Sequence, residues 1–361
     1  MNVAISIPQP RFPVALTPTP LERLPRIGRR LGIQLHVKRD DLTGFAFGGN
    51  KLRQLEYYLG EALASEATVV LVTGAVQSNY VRATAAVAAR AGLRCHVQLE
   101  DRVPGMEDAA YRRSGNVLLT GIYGATVSHF GEGNDEAAAH AAILETAQAL
   151  RHEGERPYII PLLARSRALG ALGYLHCAAE LLAQRPTLTD IVVCSGSGQT
   201  QAGLLFGLRL LGSTARVHGC SARRDAIEQR RRVAGHCASV AELLGVTSPV
   251  TRDDVRVSDS ALGAGYGLAD QDTLGTIMAV ARDDGLLLDP VYTAKAFRGL
   301  LDACHEGAIP SGADVAFIHT GGMPALFAYG SEIEAHLREA RADDITPARS
   351  VPGAQLRPFQ E

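Results

Sequence analysis

Lys51 follows the turn Gly48-Gly-Asn50 and opens an amphipathic stretch running to Leu63, so an ammonium is placed at a predicted helix start. Helix N-termini favour anions. A lysine held there, beside glycines that let the backbone crowd it, gives up its proton more readily than a surface lysine, as Schiff-base chemistry with a carbonyl group requires. Taken alone, the turn fits a plain first-turn lysine with a solvated head at least as well, because short motifs are weak signals. A second candidate is Ser195-Gly196-Ser197-Gly198-Gln199-Thr200, which offers backbone N–H groups and three hydroxyls as an anion seat. Its glycines, at 196, 198 and 203, are not spaced G-x-G-x-x-G, and no lysine follows the last of them. Both the dinucleotide and the nucleoside-triphosphate readings lose support, whereas a single phosphomonoester fits. A glycine-rich connection serving only tight helix–sheet packing is the alternative.

These residues need elements to position them, and the chain supplies a repeated unit: a β-branched apolar run, a small-residue turn, then an alanine- or leucine-rich helical stretch. Ala67–Thr73 leads through Gly74–Asn79 into Tyr80–Ala91, and Leu93–Leu99 is the next strand. Asp190–Cys194 leads through the Ser195–Thr200 turn into Gln201–Leu211, with Val217–Cys220 as the next strand. Ala313–His319 leads through Thr320-Gly-Gly322 into Pro324–Tyr329. The pattern predicts an α/β fold with mainly parallel sheets flanked by helices. Ligands of such sheets bind at the carboxyl ends of strands, so the three turns are expected to face shared crevices.

Composition narrows the function classes. With 36 Lys plus Arg against 38 Asp plus Glu, the net charge of −2 gives no reason to expect nucleic acid or a membrane surface as partner. No segment is apolar for the length of a bilayer and no secretory leader is evident, so a cytoplasmic protein is expected. The 6 cysteines form no C-x-x-C pair and the 11 histidines no H-x-x-x-H pair, which argues for reduced core thiols and against a metal. Residues 341–361, rich in Pro and charge, read as an extended or disordered tail.

Five segments together carry a resemblance: Phe47-Gly-Gly-Asn-Lys-Leu-Arg53, Gln77-Ser-Asn-Tyr-Val-Arg82, Gly196-Ser-Gly-Gln-Thr-Gln-Ala-Gly203, Leu288-Asp-Pro-Val-Tyr-Thr-Ala-Lys295 and Ile318-His-Thr-Gly-Gly322. In this order the chain resembles the D-cysteine desulfhydrase and 1-aminocyclopropane-1-carboxylate deaminase family, fold-type II enzymes of pyridoxal 5'-phosphate. The resemblance implies a large cofactor-binding domain from 1–51 plus 164–340, a small domain from 52–163, and a homodimer. It also implies that Lys51 holds the cofactor and, once released, carries the substrate's α-proton. Ser78 and Asn79 would then meet the substrate carboxylate and the cofactor ring, with Gln77 as a further substrate contact; Ser78 also resembles the family's catalytic nucleophile or general acid/base of ring opening, and in a β-elimination would hold the carboxylate. A Ser-Asn pair at a helix start suits a carboxylate on physical grounds, although Ser78 could serve only as a helix cap.

The phosphate cup would be Ser195, Gly196, Ser197, Gly198, Gln199 and Thr200, with Thr320 and Gly321 beside the ring. Tyr292 and Tyr266 resemble active-site tyrosines, one of which could protonate a leaving group; for Tyr266, packing against a glycine-rich loop is the alternative. His319 reads as a spacer. Where the cyclopropane deaminases resemble V-Y-E-G-K, this chain has Val291-Tyr-Thr-Ala-Lys295, so Thr293 is expected to bond the pyridine nitrogen as a hydroxyl. A hydroxyl leaves a weaker electron sink than a carboxylate and favours β-elimination over ring opening. The chain departs from the family at Leu162–Arg167, where Arg165 or Arg167 could bind a second substrate anion if turned inward. The resulting expectation is a carbon–sulfur lyase for a small amino-acid substrate, D-cysteine first. L-cysteate and 1-aminocyclopropane-1-carboxylate follow as alternatives, with an NAD-dependent oxidoreductase or a catalytically lost cofactor-binding protein as readings from other classes.

Overall fold

The computed structural model describes residues 5, 7–161 and 166–344. The chain enters one sheet, leaves it for another, and returns. β1 (Leu21–Arg23), α1 (Pro25–Leu31) and β2 (Gln34–Lys38) begin the first sheet. α2 (Asn50–Ala64) leads into β3 (Val69–Ala75), α3 (Asn79–Arg90), β4 (Arg94–Glu100), α4 (Ala109–Arg113), α5 (Gly115–Ile122), β5 (Thr126–Phe130), α6 (Glu136–His152) and β6 (Pro157–Ile159). The return runs through α7 (Leu169–Gln184), β7 (Asp190–Ser195), α8 (Gln199–Leu210), β8 (Arg216–Ser221), α9 (Ala226–Leu244) and β9 (Arg256–Ser258). α10 (Gln271–Asp284), α11 (Thr293–His305), β10 (Asp314–Ile318), α12 (Met323–Ala328) and α13 (Gly330–Asp344) complete it.

The first sheet has the order β1-β2-β10-β7-β8-β9 and is parallel except for β1, which pairs antiparallel with β2. The second, β5-β4-β3-β6, is parallel throughout. β3, β7 and β10 are buried along their whole length. Burial on both faces explains why these segments read as continuous apolar runs rather than alternating ones. The three predicted strand–turn–helix units are therefore present. Among the described residues no helix is long and apolar enough to cross a membrane.

α2 carries Leu52, Leu55, Leu59 and Ala62 into a core shared with α3, α7 and α8. Its backbone lies unusually near α7, because a Cβ on Gly173 would stand 2.0 Å from the Arg53 carbonyl oxygen. One layer further, a Cβ on Gly203 would stand 2.0 Å from that of Ala171. Gly203 thus serves helix packing and not an anion. Arg53 then anchors α2 chemically: its Nε and Nη2 donate to Asp40 at 3.0 Å each, and its Nη1 and Nη2 to Glu180 at 2.7 and 2.8 Å. Burial alone would raise the Asp40 carboxyl, but the Arg53 charge and hydrogen bonds outweigh it and hold the group below its ordinary value.

One sequence expectation needs correction. α13 continues to Asp344, so residues 341–344 of the expected tail are helical. A helix-forming run, Glu332-Ile-Glu-Ala-His-Leu-Arg-Glu-Ala-Arg341, with an i,i+4 pair between Arg338 and Glu334, outweighs the charge density that suggested disorder. The rest of the tail lies outside the described residues.

Adding a methyl group tests the helix stack. Gly173→Ala and Gly203→Ala should each cost about 1–3 kcal/mol through overpacking and lower Tm. On α10 a Cβ at Gly275 meets nothing within 4 Å, so Gly275→Ala should leave Tm equal or raise it. Thermal unfolding of the three variants reads this directly, and shifts of the same sign would contradict the packing argument.

Candidate active site

The carboxyl ends of β3, β7 and β10 and the first turn of α2 open onto one cavity. Lys51 stands in its wall, half-buried, with Nζ 5.3 Å from the centroid of the Tyr80 ring. Desolvation pulls its ammonium from 10.5 down to about 8. The chain has only two other lysines. Lys38 Nζ is bound to Glu180 at 2.7 Å, to the Thr19 carbonyl at 2.8 Å and to Gln184 at 2.9 Å. Lys295 Nζ donates to the carbonyls of Leu262 and Gly265 at 2.7 and 2.6 Å. Among the described residues the Lys51 amine has no hydrogen-bond or ion-pair partner, so it alone of the three is free to react.

Close glycine contacts put it there. A Cβ on Gly321, at φ +88°, would meet Gly49 Cα at 2.8 Å, and the Asn50 N–H donates to the Thr320 carbonyl at 3.1 Å. The start of α2 is thereby pinned to the end of β10. Arg82 of the Gln77–Arg82 motif braces the loop ahead of it, donating to the carbonyls of Ala46 and Gly48.

The turn after β7 lies at the cavity. Gly198, at φ +90°, caps α8 without a side-chain hydrogen bond, which leaves first-turn N–H groups for an anion. Gly196, Ser197 and Thr200 line the cavity with it. Thr200 Oγ1 accepts from Asn50 Nδ2 at 2.9 Å and Gln54 Nε2 at 2.7 Å, so its own O–H is left as a donor. Behind the loop Arg224 Nη1 and Arg232 Nε donate to the carbonyls of Gly196 and Ser197 at 3.0 and 2.9 Å.

Ser78 and Asn79 also face the cavity. Ser78 Oγ accepts from the Val81 N–H at 3.2 Å, so it is a helix cap as well as a cavity residue. Asn79 Oδ1 accepts from Asn116 at 3.0 Å, leaving its amide N–H groups unspent. The Tyr266 and Tyr292 hydroxyls touch at 2.5 Å, and both rings line the cavity. Burial raises both phenols, which keeps them protonated at neutral pH. The Lys295 bonds to Leu262 and Gly265 hold the loop presenting Tyr266, and a Cβ on Gly196 would lie 3.6 Å from the Tyr292 ring.

Other expected residues turn elsewhere. Thr293 is fully buried and is not in the cavity wall: its Oγ1 donates to Asp289 Oδ1 at 2.7 Å and accepts from the Asp289 N–H at 2.7 Å. Asp289 is the reason, since its carboxylate caps α11 through the N–H groups of Val291, Tyr292 and Thr293. Among the described residues the threonine that lines the cavity at the end of β10 is Thr320. Gln199 Oε1 accepts from Tyr58 at 3.1 Å, and Ser195 Oγ bonds Gln201 and Gln229, so neither side chain joins the cup. Gln77 Nε2 is spent on the carbonyls of Tyr111 and Ser114 at 2.6 and 3.0 Å, holding the α4–α5 junction. Arg165 lies outside the described residues. Arg167 points outward and pairs with Glu61 at 2.5 Å. His319 bonds the Leu287 carbonyl at 2.7 Å and the Gly321 N–H, a structural use.

The cavity also holds residues that sequence reasoning missed: Asn50, Gln54, Tyr80, Arg102, Glu136, Arg223, Arg224 and Arg232. The signal was present for some. Glu100-Asp-Arg102 ends β4 and Ser221-Ala-Arg-Arg224 ends β8, positions to which the strand-end rule applies as fully as to the three turns. Glu136 had no such marker.

A desolvated amine and a buried Tyr80 hydroxyl, both without a hydrogen-bond partner among the described residues, together with uncapped helix N–H groups and the Thr200 donor, fit an aldehyde that carries a phosphomonoester. Comparison with known proteins agrees. The family model described as pyridoxal-phosphate dependent enzyme matches residues 14–321. A D-cysteine desulfhydrase of Yersinia pestis (strain Pestoides F) is 41% identical over 327 residues, 90% of this chain and 97% of that protein. A 1-aminocyclopropane-1-carboxylate deaminase of Methylobacterium nodulans is 38% identical, covering 89% and 96%. A crystal structure of an ACC deaminase homologue superposes with a TM-score of 0.83 at 35% identity, covering 91% of this chain and 97% of that one.

Only the neutral form of the Lys51 amine could attack such an aldehyde, and the fraction of that form grows with pH. Cofactor-stripped protein should therefore take up pyridoxal phosphate at a rate that rises to a plateau with its midpoint near pH 8, followed by the visible absorption band. A rate still climbing at about pH 10, as for a solvated lysine, would contradict the desolvated amine.

Proposed function

The chain belongs to the pyridoxal-phosphate dependent enzyme family, and we propose that its reaction there is α,β-elimination from D-cysteine, giving pyruvate, ammonia and sulfide. One observation carries the reading: the free amine of Lys51 shares a cavity with the protonated Tyr266–Tyr292 pair. Elimination needs such a base for the α-proton and such an acid for the departing group. The choice of D-cysteine draws on the desulfhydrase relatives.

In this reading Gly196, Ser197, Gly198 and Thr200 would hold the cofactor phosphate and Lys51 its aldehyde carbon, with Asn79 and Thr320 as further cofactor contacts. Bound there, pyridoxal phosphate supplies the electron sink that lets the Cα–H bond ionise. Ser78 and Asn79 hold the substrate carboxylate at the start of α3. Lys51 Nζ, freed when the substrate's amine takes its place on the cofactor, would take the α-proton; the Cα–H electron pair becomes the Cα=Cβ bond as the Cβ–S bond breaks with its pair on sulfur, and the Tyr292 Oη proton would pass to the thiolate. Tyr266 shares its hydrogen bond with Tyr292 and keeps that phenol aimed. The released 2-aminoacrylate hydrolyses to pyruvate and ammonia. With the Thr293 hydroxyl engaged by Asp289, the preference for elimination over ring opening rests on the tyrosine pair and the relatives rather than on residue 293.

The same reading divides the chain into a large unit, 1–51 plus 164–340, and a small unit, 52–163, which closes on substrate. It also takes the protein as a cytoplasmic homodimer, on the resemblance set out above.

Purified holoenzyme should release sulfide from D-cysteine. Tyr292→Phe, which keeps the ring and removes the acid, should lower kcat by about 100-fold with the cofactor band intact. Sulfite from L-cysteate or 2-oxobutyrate from 1-aminocyclopropane-1-carboxylate, without sulfide from D-cysteine, would overturn the substrate. An unchanged kcat in Tyr292→Phe would overturn the acid.

A further inference from the structure

Four arginines of the cavity wall carry none of the proton transfers proposed above. Arg223 and Arg224, in the turn after β8, and Arg232 of α9 converge on one carboxylate, that of Glu136 at the start of α6. Arg223 Nη1 lies 2.8 Å and Arg232 Nη1 3.3 Å from it, and Arg224 Nη2 is in direct contact. Arg102, at the end of β4, stands beside them with its own partner Glu100 at 2.6 Å. Arg224 and Arg232 have second tasks on the cup, whereas the pair with Glu136 is the ion pair of Arg223 among the described residues.

Position gives the cluster its meaning. Arg102, Glu136, Arg223, Arg224 and Tyr266 line both the inner cavity and an outer groove, so they form the partition between the two. Arg102 and Arg223 also lie within electrostatic reach of Tyr266, one of the tyrosine pair assigned above to the leaving group. Burial and the charges of Arg102 and Arg224 disfavour the Arg223 cation, and the Glu136 carboxylate opposes them.

We propose that Glu136 is a specificity-determining residue: by occupying the guanidinium cluster it excludes amino acids bearing a second ionised acid on or beyond the β-carbon, and admits those with an uncharged β-substituent such as a thiol. The argument rests on the elimination reading above. An incoming sulfonate or carboxylate must either displace Glu136 from its three arginines or sit beside a like charge. A thiol faces neither cost.

The test compares wild-type holoenzyme with Glu136→Gln, titrated with L- and D-cysteate, the sulfonate counterparts of cysteine. Binding is read from the cofactor's visible band, which reports affinity whether or not turnover follows. Glu136→Gln should tighten cysteate by about tenfold or more, about 1.4 kcal/mol. It should also raise the cysteate-to-cysteine ratio of kcat/KM where both react. The gain should vanish in Glu136→Gln combined with Arg223→Met. Cysteate binding that is unchanged or weaker in Glu136→Gln, with the cofactor band intact, would overturn the proposal.

Should that variant lose its cofactor, Glu136→Asp keeps the charge but withdraws it by one methylene. A smaller gain is then expected, and no gain overturns the idea. Loss of cofactor in both variants makes Glu136 structural and overturns it equally. If wild type releases no sulfide from D-cysteine, the substrate reading fails while the binding comparison stands.

Discussion

The site depends on the bidentate grip of Arg53 on Asp40 and Glu180. Arg53 is 2% exposed and lies two residues beyond Lys51 on the same helix. Both carboxylates come from outside α2: Asp40 follows β2 in the first sheet and Glu180 belongs to α7. Tyr174 adds a 2.6 Å hydrogen bond to Asp40, and Lys38 one of 2.7 Å to Glu180, so every ion in the set is partnered. Removing one partner from a buried pair typically costs about 3–5 kcal/mol, whereas the intact pair adds little net stability. The cluster is therefore better understood as fixing register than as adding stability. It decides where the first turn of α2 sits, and with it Lys51.

That constraint lets an unfavourable group persist. Lys51 stands at a helix start, where a cation is disfavoured, and among groups that remove its water. Both effects favour the neutral amine. The other two lysines are satisfied by carbonyl, amide or carboxylate oxygens and work as braces, Lys38 within the Arg53 cluster and Lys295 under the Tyr266 loop. Reactivity at Lys51 thus follows from withheld partners, and the Gly49–Gly321 contact holds it near the cup without supplying one.

Much of this was legible in the sequence because period and turn chemistry are local. The apolar runs of β3, β7 and β10 and the turns behind them identified the sheets and three walls of the cavity. The motifs and the family resemblance named Lys51, Ser78, Asn79, Gly196, Gly198, Thr200 and the two tyrosines, and all of them line one cavity. What failed was side-chain direction. Thr293, Gln199 and Gln77 each lie one residue from a cavity position, yet each is drawn into the interior by a partner, Asp289, Tyr58 and the α4–α5 carbonyls respectively. Glu136 meets Arg224 across 88 positions of chain, a pairing that no local pattern encodes.

The central claim is that one lysine of three holds the cofactor. Reducing the holoenzyme with borohydride and mapping its peptides by mass spectrometry tests this most directly. The account predicts a pyridoxyl group on Lys51, with Lys38 and Lys295 unmodified. A pyridoxyl group on either of those, or none on Lys51 in protein that carries the cofactor band, would contradict it.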